Sequence, residues 1–216
     1  MSQRDIDTPH GPGRLVTRAA SRPTSVLLLG HGAGGGIDAP DLQGLASLLP
    51  DRGTTVLRYE QPWRVAGRRI AGRPATLDEG WRAAVAAVIK EFPGLPLFVG
   101  GRSAGARVAC RCFEHPAIGV VCLSFPLHPP GAPAKTRVHE LLDVTGPRLV
   151  VQGFNDPFGS PSEVEDALAG APGVQIVGVQ GTHSFEAPKR ADLTTEQVVA
   201  QIADAVTSFM AAHLSH

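Results

Sequence analysis

The chain has 216 residues, 43% of them hydrophobic, and its 20 Lys and Arg balance 20 Asp and Glu, leaving no formal net charge. That length and apolar content suit one globular domain spanning residues 1–216, with a substantial core and no second domain. Balanced charge gives no global attraction to nucleic acid or to an anionic membrane, and no apolar run approaches the ~20 residues that span a bilayer.

Residues 1–13 are polar, lack the apolar core of a signal peptide and are expected to be poorly ordered, with the cytoplasm as the expected compartment. Arg14–Arg18 reads as an edge strand. From residue 25 onward short apolar runs alternate with helical patterns, and the strands are placed at Ser25–Leu29, Thr54–Tyr59, Leu97–Gly100, Gly119–Ser124, Arg148–Gln152 and Val174–Val179. This alternation predicts an α/β class fold, a mostly parallel central sheet of about 6–7 strands with helices on both faces. Asp38 and Pro40 read as the cap and first turn of one helix. Thr76 and Glu79 have the spacing of a capping box, after which Leu77, Trp81, Ala84, Val85, Val88, Ile89 and Phe92 repeat along one face. Pro116 limits a helix that starts at Ser103. Ser160 with Glu163, and Thr194 with Gln197, are further capping boxes; the second opens a terminal helix striped by Val198, Ile202, Val206, Phe209 and Met210. Cys110, Cys112 and Cys122 form no C-x-x-C pair and are read as reduced, packed thiols, so no metal is expected.

The chemistry is carried by the run Leu95 to Gly105, where an apolar segment feeds into Gly101-Arg102-Ser103-Ala104-Gly105 and then a helical pattern. A serine at a sharp strand-to-helix turn exposes its hydroxyl, and the residues two before and two after must be small to let strand and helix approach. In a chain with 25 Gly the pentapeptide is weak by itself, so the rest of the chain decides. A nucleophilic serine needs a base to take its proton and an acid to orient that base. After Arg148–Gln152 comes the turn-rich Gly153 to Gly159 with Asp156; after Val174–Val179 comes Gly181 to Phe185 with His183. The expected roles are Ser103 as nucleophile, His183 as general base and then acid, and Asp156 as its orienting partner. For the oxyanion hole the expected donors are the amide of Ala104 and that of Ala33, with Gly32 and Gly34 as near alternatives, in the glycine-rich loop after the first apolar strand.

That same loop, Gly30 to Gly35, also satisfies G-x-G-x-x-G, with Glu60 or Arg58 available to meet a ribose. Against a dinucleotide fold, the helix starts beyond the glycine run and a carboxylate would face the pyrophosphate. No cofactor is therefore expected.

Taken together, His31 to Leu42, Gln61 to Arg69, Gly100 to Cys110, Phe125 to Pro130, Val151 to Gly159 and Gly181 to Phe185 resemble the α/β-hydrolases. The likeness is to a compact dienelactone-hydrolase-like branch, related to a hydrolase-like subunit of the non-specific-lethal histone acetyltransferase complex. The resemblance implies the α/β-hydrolase fold and a Ser-Asp-His site at Ser103, Asp156 and His183, and it implies no substrate. Only 23 residues, Phe125 to Pro147, connect the two strands between which many lipases insert a lid, so no large cap domain is expected. The expected activity is that of a serine carboxylesterase or thioesterase on a small substrate. Trp63, Arg68 and Arg69 lie after a strand end, where ligands bind, and His128 follows another; the arginines suit an anionic ester or an acidic partner, and a solvated basic loop fits them equally well. The alternative is a catalytically silent interaction module on the same fold. Oligomeric state is not legible in this sequence.

Overall fold

The structure, a computed structural model, describes residues 1–187 and 193–214. Among these residues eight strands form one sheet: β1 (Ser2–Ile6), β2 (Gly13–Arg18), β3 (Ser25–Gly30), β4 (Thr54–Glu60), β5 (Leu97–Arg102), β6 (Ala117–Leu123), β7 (Arg148–Gly153) and β8 (Val174–Val179). Their order is β1-β2-β4-β3-β5-β6-β7-β8. The pairs β1–β2 and β2–β4 are antiparallel; every pair from β4 to β8 is parallel.

Alternation along the central strands explains why both faces are covered. On β3, Val26 and Leu28 pack into one core while Leu27 and Leu29 pack into the other. The first core is closed by α3 (Pro74–Glu91), α4 (Ala104–Arg111), α5 (Val138–Leu142) and α6 (Pro161–Ala167), through Trp81, Val108, Leu141 and Val164 among others. The second is closed by α1 (Pro40–Leu48) and α7 (Thr195–His213), through Leu42, Leu45, Ile202 and Phe209. A one-turn α2 (Pro62–Val65) follows β4.

Several sequence expectations are corrected. Residues 1–13 are not a loose tail, because Ser2–Ile6 pairs with Gly13–Arg18. That hairpin is tied to α3 by an ion pair from Arg4 to Glu91 and by a 2.6 Å contact between His10 Nε2 and Glu79. Only Ile6 of β1 is buried, so this strand lacks the apolar alternation that reveals strands in a sequence. Arg14–Arg18 accordingly lies one strand in from the edge. The Thr76 capping box is absent: α3 starts two residues earlier, at Pro74, whose fixed φ suits the first helical position, with Arg73 as an N-cap that makes no side-chain bond. Ala39 rather than Asp38 is the N-cap of α1, and Asp38 instead accepts from Gln43 Nε2 and lies 3.8 Å from Arg58. The boxes at Ser160/Glu163 and Thr194/Gln197 are both formed.

The chain moves from β3 outward to β4 and then returns to the other side of β3 as β5. The carboxyl ends of β3 and β5 therefore flank a topological switch point, where open α/β sheets leave a crevice. Among the described residues no cap domain covers it; β6 and β7 are joined by a short segment whose only helix is α5.

Candidate active site

Ser103 stands between β5 and α4 with φ 53° and ψ −114°, a backbone state rarely held by a non-glycine residue and costing about 1–3 kcal/mol. Its surroundings hold it there. The Ser103 N–H donates to Leu123 O at 2.9 Å. A Cβ on Gly101 would lie 2.6 Å from Gly30 O and 2.8 Å from the Gly105 carbonyl carbon; one on Gly105 would lie 2.5 Å from Gly30. Two residues without side chains therefore let α4 start directly over β3 and lift the hydroxyl above the sheet.

His183 and Asp156 come from two loops that also meet through a bare backbone. At Gly153 a Cβ would sit 2.6 Å from the carbonyl oxygens of both Gly181 and Thr182, so only glycine lets the loops after β7 and β8 close together. The result is a continuous chain: His183 Nε2 is 2.9 Å from Ser103 Oγ, and His183 Nδ1 is 2.8 Å from Asp156 Oδ2. With Nδ1–H donating to the carboxylate, Nε2 presents its lone pair to the serine hydroxyl. Asp156 has no exposed side-chain surface, and its other bonds come from Phe158 N–H to Oδ1 at 2.9 Å and Gln152 Nε2 to Oδ2 at 3.0 Å. The Phe158 ring lies over the imidazole, with centroids 4.3 Å apart.

Ala104 is the first residue of α4, where the helix leaves its amide unsatisfied and its dipole positive. Across from it, the Cβ position of Gly32 lies 3.5 Å from Ser103 Cβ. Ala33 and Ala104 line one narrow cavity together with His31, Gln61, Trp63 and Trp81. His31, missed as an individual residue in the sequence, fixes this loop. Its buried ring accepts from Gln61 N–H at Nε2 (3.1 Å), which requires a lone pair there, and donates from Nδ1 to Gly32 O (2.8 Å); burial pushes its pKa down. The dipeptide His31-Gly32 carried that signal. Gln152 was also missed: its Nε2 faces Phe125 O, Asp156 Oδ2 and Gly159 O, pinning the acid loop.

Of the four expected substrate contacts, Trp63 lines the cavity beside Ala33 and Ala104, its ring 5.5 Å from His31. Arg68 lines a neighbouring cavity that shares Trp63 and Gln61, and Arg69 is exposed next to it. His128 lines a different cavity from the one that holds Ala33 and Ala104. Its Nδ1 is 3.0 Å from Pro129 O and its Nε2 3.3 Å from Glu163 Oε1, facing a groove lined by Leu127, Thr136 and Asp166. It serves instead to brace the acid loop, through its backbone N–H to Phe158 O at 3.1 Å. The residues a dinucleotide would need are committed elsewhere: Arg58 donates to Ile37 O at 2.7 Å, Glu60 faces Arg14 at 3.6 Å, and α1 starts at Pro40, beyond the glycine run.

The three cysteines are free and buried, with Cys110 Sγ 3.4 Å from Cys122 Sγ. The bond to Cys122 and burial push the Cys110 thiol well up, and burial pushes Cys112 up to about 12, so neither is a ready nucleophile. No described helix is long and apolar enough to cross a membrane.

Comparison with known proteins gives a consistent picture. The family model described as alpha/beta hydrolase domain matches residues 23–211. A dienelactone hydrolase from Anabaena variabilis superposes with a TM-score of 0.76 at 18% identity, covering 98% of this chain and 97% of the other. A lidless α/β serine hydrolase from Xanthomonas campestris gives 0.73 at 18% identity, over 100% and 95% of the two chains. A Butyrivibrio proteoclasticus protein solved with ferulic acid bound gives 0.78 at 14% identity, over 99% and 100%. At such identities these three likenesses speak for the fold.

Proposed function

The chain belongs to the alpha/beta hydrolase domain family, and from that premise we propose that it is a serine hydrolase cleaving small carboxylic esters or thioesters through an acyl-enzyme on Ser103. The observation that carries the reading is the hydrogen-bond chain from Ser103 Oγ through His183 to Asp156, at 2.9 and 2.8 Å. In the first half-reaction Ser103 Oγ attacks the carbonyl carbon while its proton passes to His183 Nε2, and Asp156 stabilises the imidazolium. The oxyanion is received by the amides of Ala104 and Ala33. Collapse expels the alcohol or thiol, which takes the proton from Nε2. Water then attacks the acyl group, giving its proton to Nε2, and the second tetrahedral species releases the acid and restores Ser103.

Substrate size follows from shape. With no lid among the described residues, and a narrow cavity beside the proposed oxyanion donors, the site suits a short acyl group and a leaving group that extends into solvent. Trp63, Arg68 and Arg69 would border that leaving group, the arginines favouring an anionic one.

Intact-mass analysis after incubation with a fluorophosphonate tests the reading. One adduct is expected on the wild type, absent in Ser103→Ala and formed far more slowly in His183→Ala, together with Ser103-dependent turnover of p-nitrophenyl acetate. Folded wild-type protein that forms no adduct would sink the proposal in favour of a non-catalytic interaction module.

A further inference from the structure

The steps above use Ser103 and leave unexplained the charged residue immediately before it. Arg102 ends β5, and its side chain is 12% exposed. Its Nη2 donates to the backbone carbonyl of His183 at 2.7 Å. Its Nε lies 3.1 Å from Oδ2 of Asp41, in the first turn of α1, whose side chain has no exposed surface. Its Nη1 lies 3.7 Å from the Cβ position of Gly32 in the oxyanion loop. One guanidinium therefore spans the nucleophile strand, the histidine loop, the oxyanion loop and α1.

Asp41 is an odd residue to bury. Among the described residues neither carboxylate oxygen has an aligned side-chain hydrogen bond, and burial pushes its pKa up while the charge of Arg102 pulls it down. Removing such a pair in favour of apolar side chains is commonly neutral or stabilising, so stability is a weak reason for its presence. The histidine loop, by contrast, gains from it a hold beyond the Asn155 N–H bond to Gly181 O at 2.9 Å. It leaves the last strand of the sheet and turns through two rare backbone states, Gly181 at φ 149° and Phe185 at φ 56°. The Arg102 bond fixes the peptide carbonyl of the very residue that must face Ser103.

We propose that Arg102, held by Asp41, is a positioning residue that sets the His183 backbone and thereby the alignment of Nε2 with Ser103 Oγ. This rests on the serine-hydrolase reading. A shift of about 1 Å in a reacting group costs up to about a hundredfold in rate, which sets the scale of the effect.

The test compares the wild type with the double variant Arg102→Met/Asp41→Leu, which removes the pair without stranding a buried charge, and with Arg102→Lys. Fluorophosphonate labelling rate, kcat and KM for p-nitrophenyl acetate, and Tm are measured for each. In the double variant, labelling and kcat are expected to fall about 10–100-fold with KM within about twofold, and Tm to stay close to that of the wild type. Arg102→Lys carries one compact ammonium that cannot serve both acceptors, and is expected to lose about 5–20-fold. It also keeps the test open if the double variant fails to fold. On a His183→Ala background the double substitution is expected to cost nothing further, because nothing remains to be positioned. Labelling and kcat within about threefold of wild type in a folded variant, or an undiminished loss on the His183→Ala background, overturns the proposal. A wild type that the probe does not label overturns the serine-hydrolase reading first and this proposal with it; a labelled wild type beside an equally labelled variant overturns this proposal alone.

Discussion

Replacing Asp156 by Asn changes one atom and reverses one hydrogen-bonding role, and the geometry dictates the outcome. Oδ2 receives His183 Nδ1 at 2.8 Å and Gln152 Nε2 at 3.0 Å, and Oδ1 receives Phe158 N–H at 2.9 Å. An Asn amide placed at the Oδ1 position meets the Phe158 N–H donor to donor. Placed at the Oδ2 position, it forces the imidazole to accept at Nδ1, which puts the proton on Nε2 and leaves Ser103 without a base. Either orientation also removes the charge that stabilises the imidazolium. A unit charge about 4 Å away at an effective dielectric near 20 contributes about 4 kcal/mol, or about a thousandfold in rate. With the tautomer error added, kcat is expected to fall about 10³–10⁴-fold. KM should hardly change, since the proposed role of Asp156 involves no contact with substrate, and the donor conflict should cost about 1–3 kcal/mol of stability. Steady-state hydrolysis of p-nitrophenyl acetate and a thermal melt measure both effects. A folded Asp156→Asn protein with kcat within about tenfold of wild type would refute the reasoning.

Three further outcomes are expected. Glu140, buried on α5, receives Arg107 at two bonds of 2.7 Å and Arg111 at 3.1 Å, so Glu140→Gln should cost about 3–5 kcal/mol and lower Tm by about 10 °C. Burial pushes the Glu140 carboxyl up, but Arg107 and Arg111 outweigh it and hold it below the ordinary Glu value. Its stabilisation is thus present above that ordinary value and fades as pH falls through the lowered one; a wild-type advantage in Tm that grows on acidification would contradict this. Gly105→Ala places a Cβ 2.5 Å from Gly30 backbone and should cost about 2–4 kcal/mol, with lower labelling of Ser103, as read by melts and intact mass. Arg68→Ala/Arg69→Ala should raise KM for anionic esters more than for neutral ones of equal size; equal changes would remove the arginines from substrate recognition.

The sheet interior and the order of the reactive residues are local properties, and local patterns reveal them. Apolar runs such as Ser25–Leu29 fill a strand buried on both faces, glycines at 101 and 105 are the only residues the elbow admits, and two of three capping boxes formed where their spacing appears. β1 is illegible in the sequence because all its residues but Ile6 are polar and exposed, and its pairing with β2 is what extends it. Thr76 misled because a proline two residues earlier starts the same helix without a side-chain cap. His128 follows a strand as a ligand contact might, but both ring nitrogens are taken by Pro129 and Glu163, a distribution of hydrogen bonds that no spacing encodes. The sequence alone determined which residue types stand at strand ends and in what order. Only the tertiary structure decided that Ser103, His183 and Asp156 meet within bonding distance, and that the Arg102 side chain reaches both the His183 carbonyl and Asp41, 61 positions earlier in the chain. Side chains brought together by strand order and by glycine contacts between backbones depend on distances through space, which a pattern along the chain does not contain.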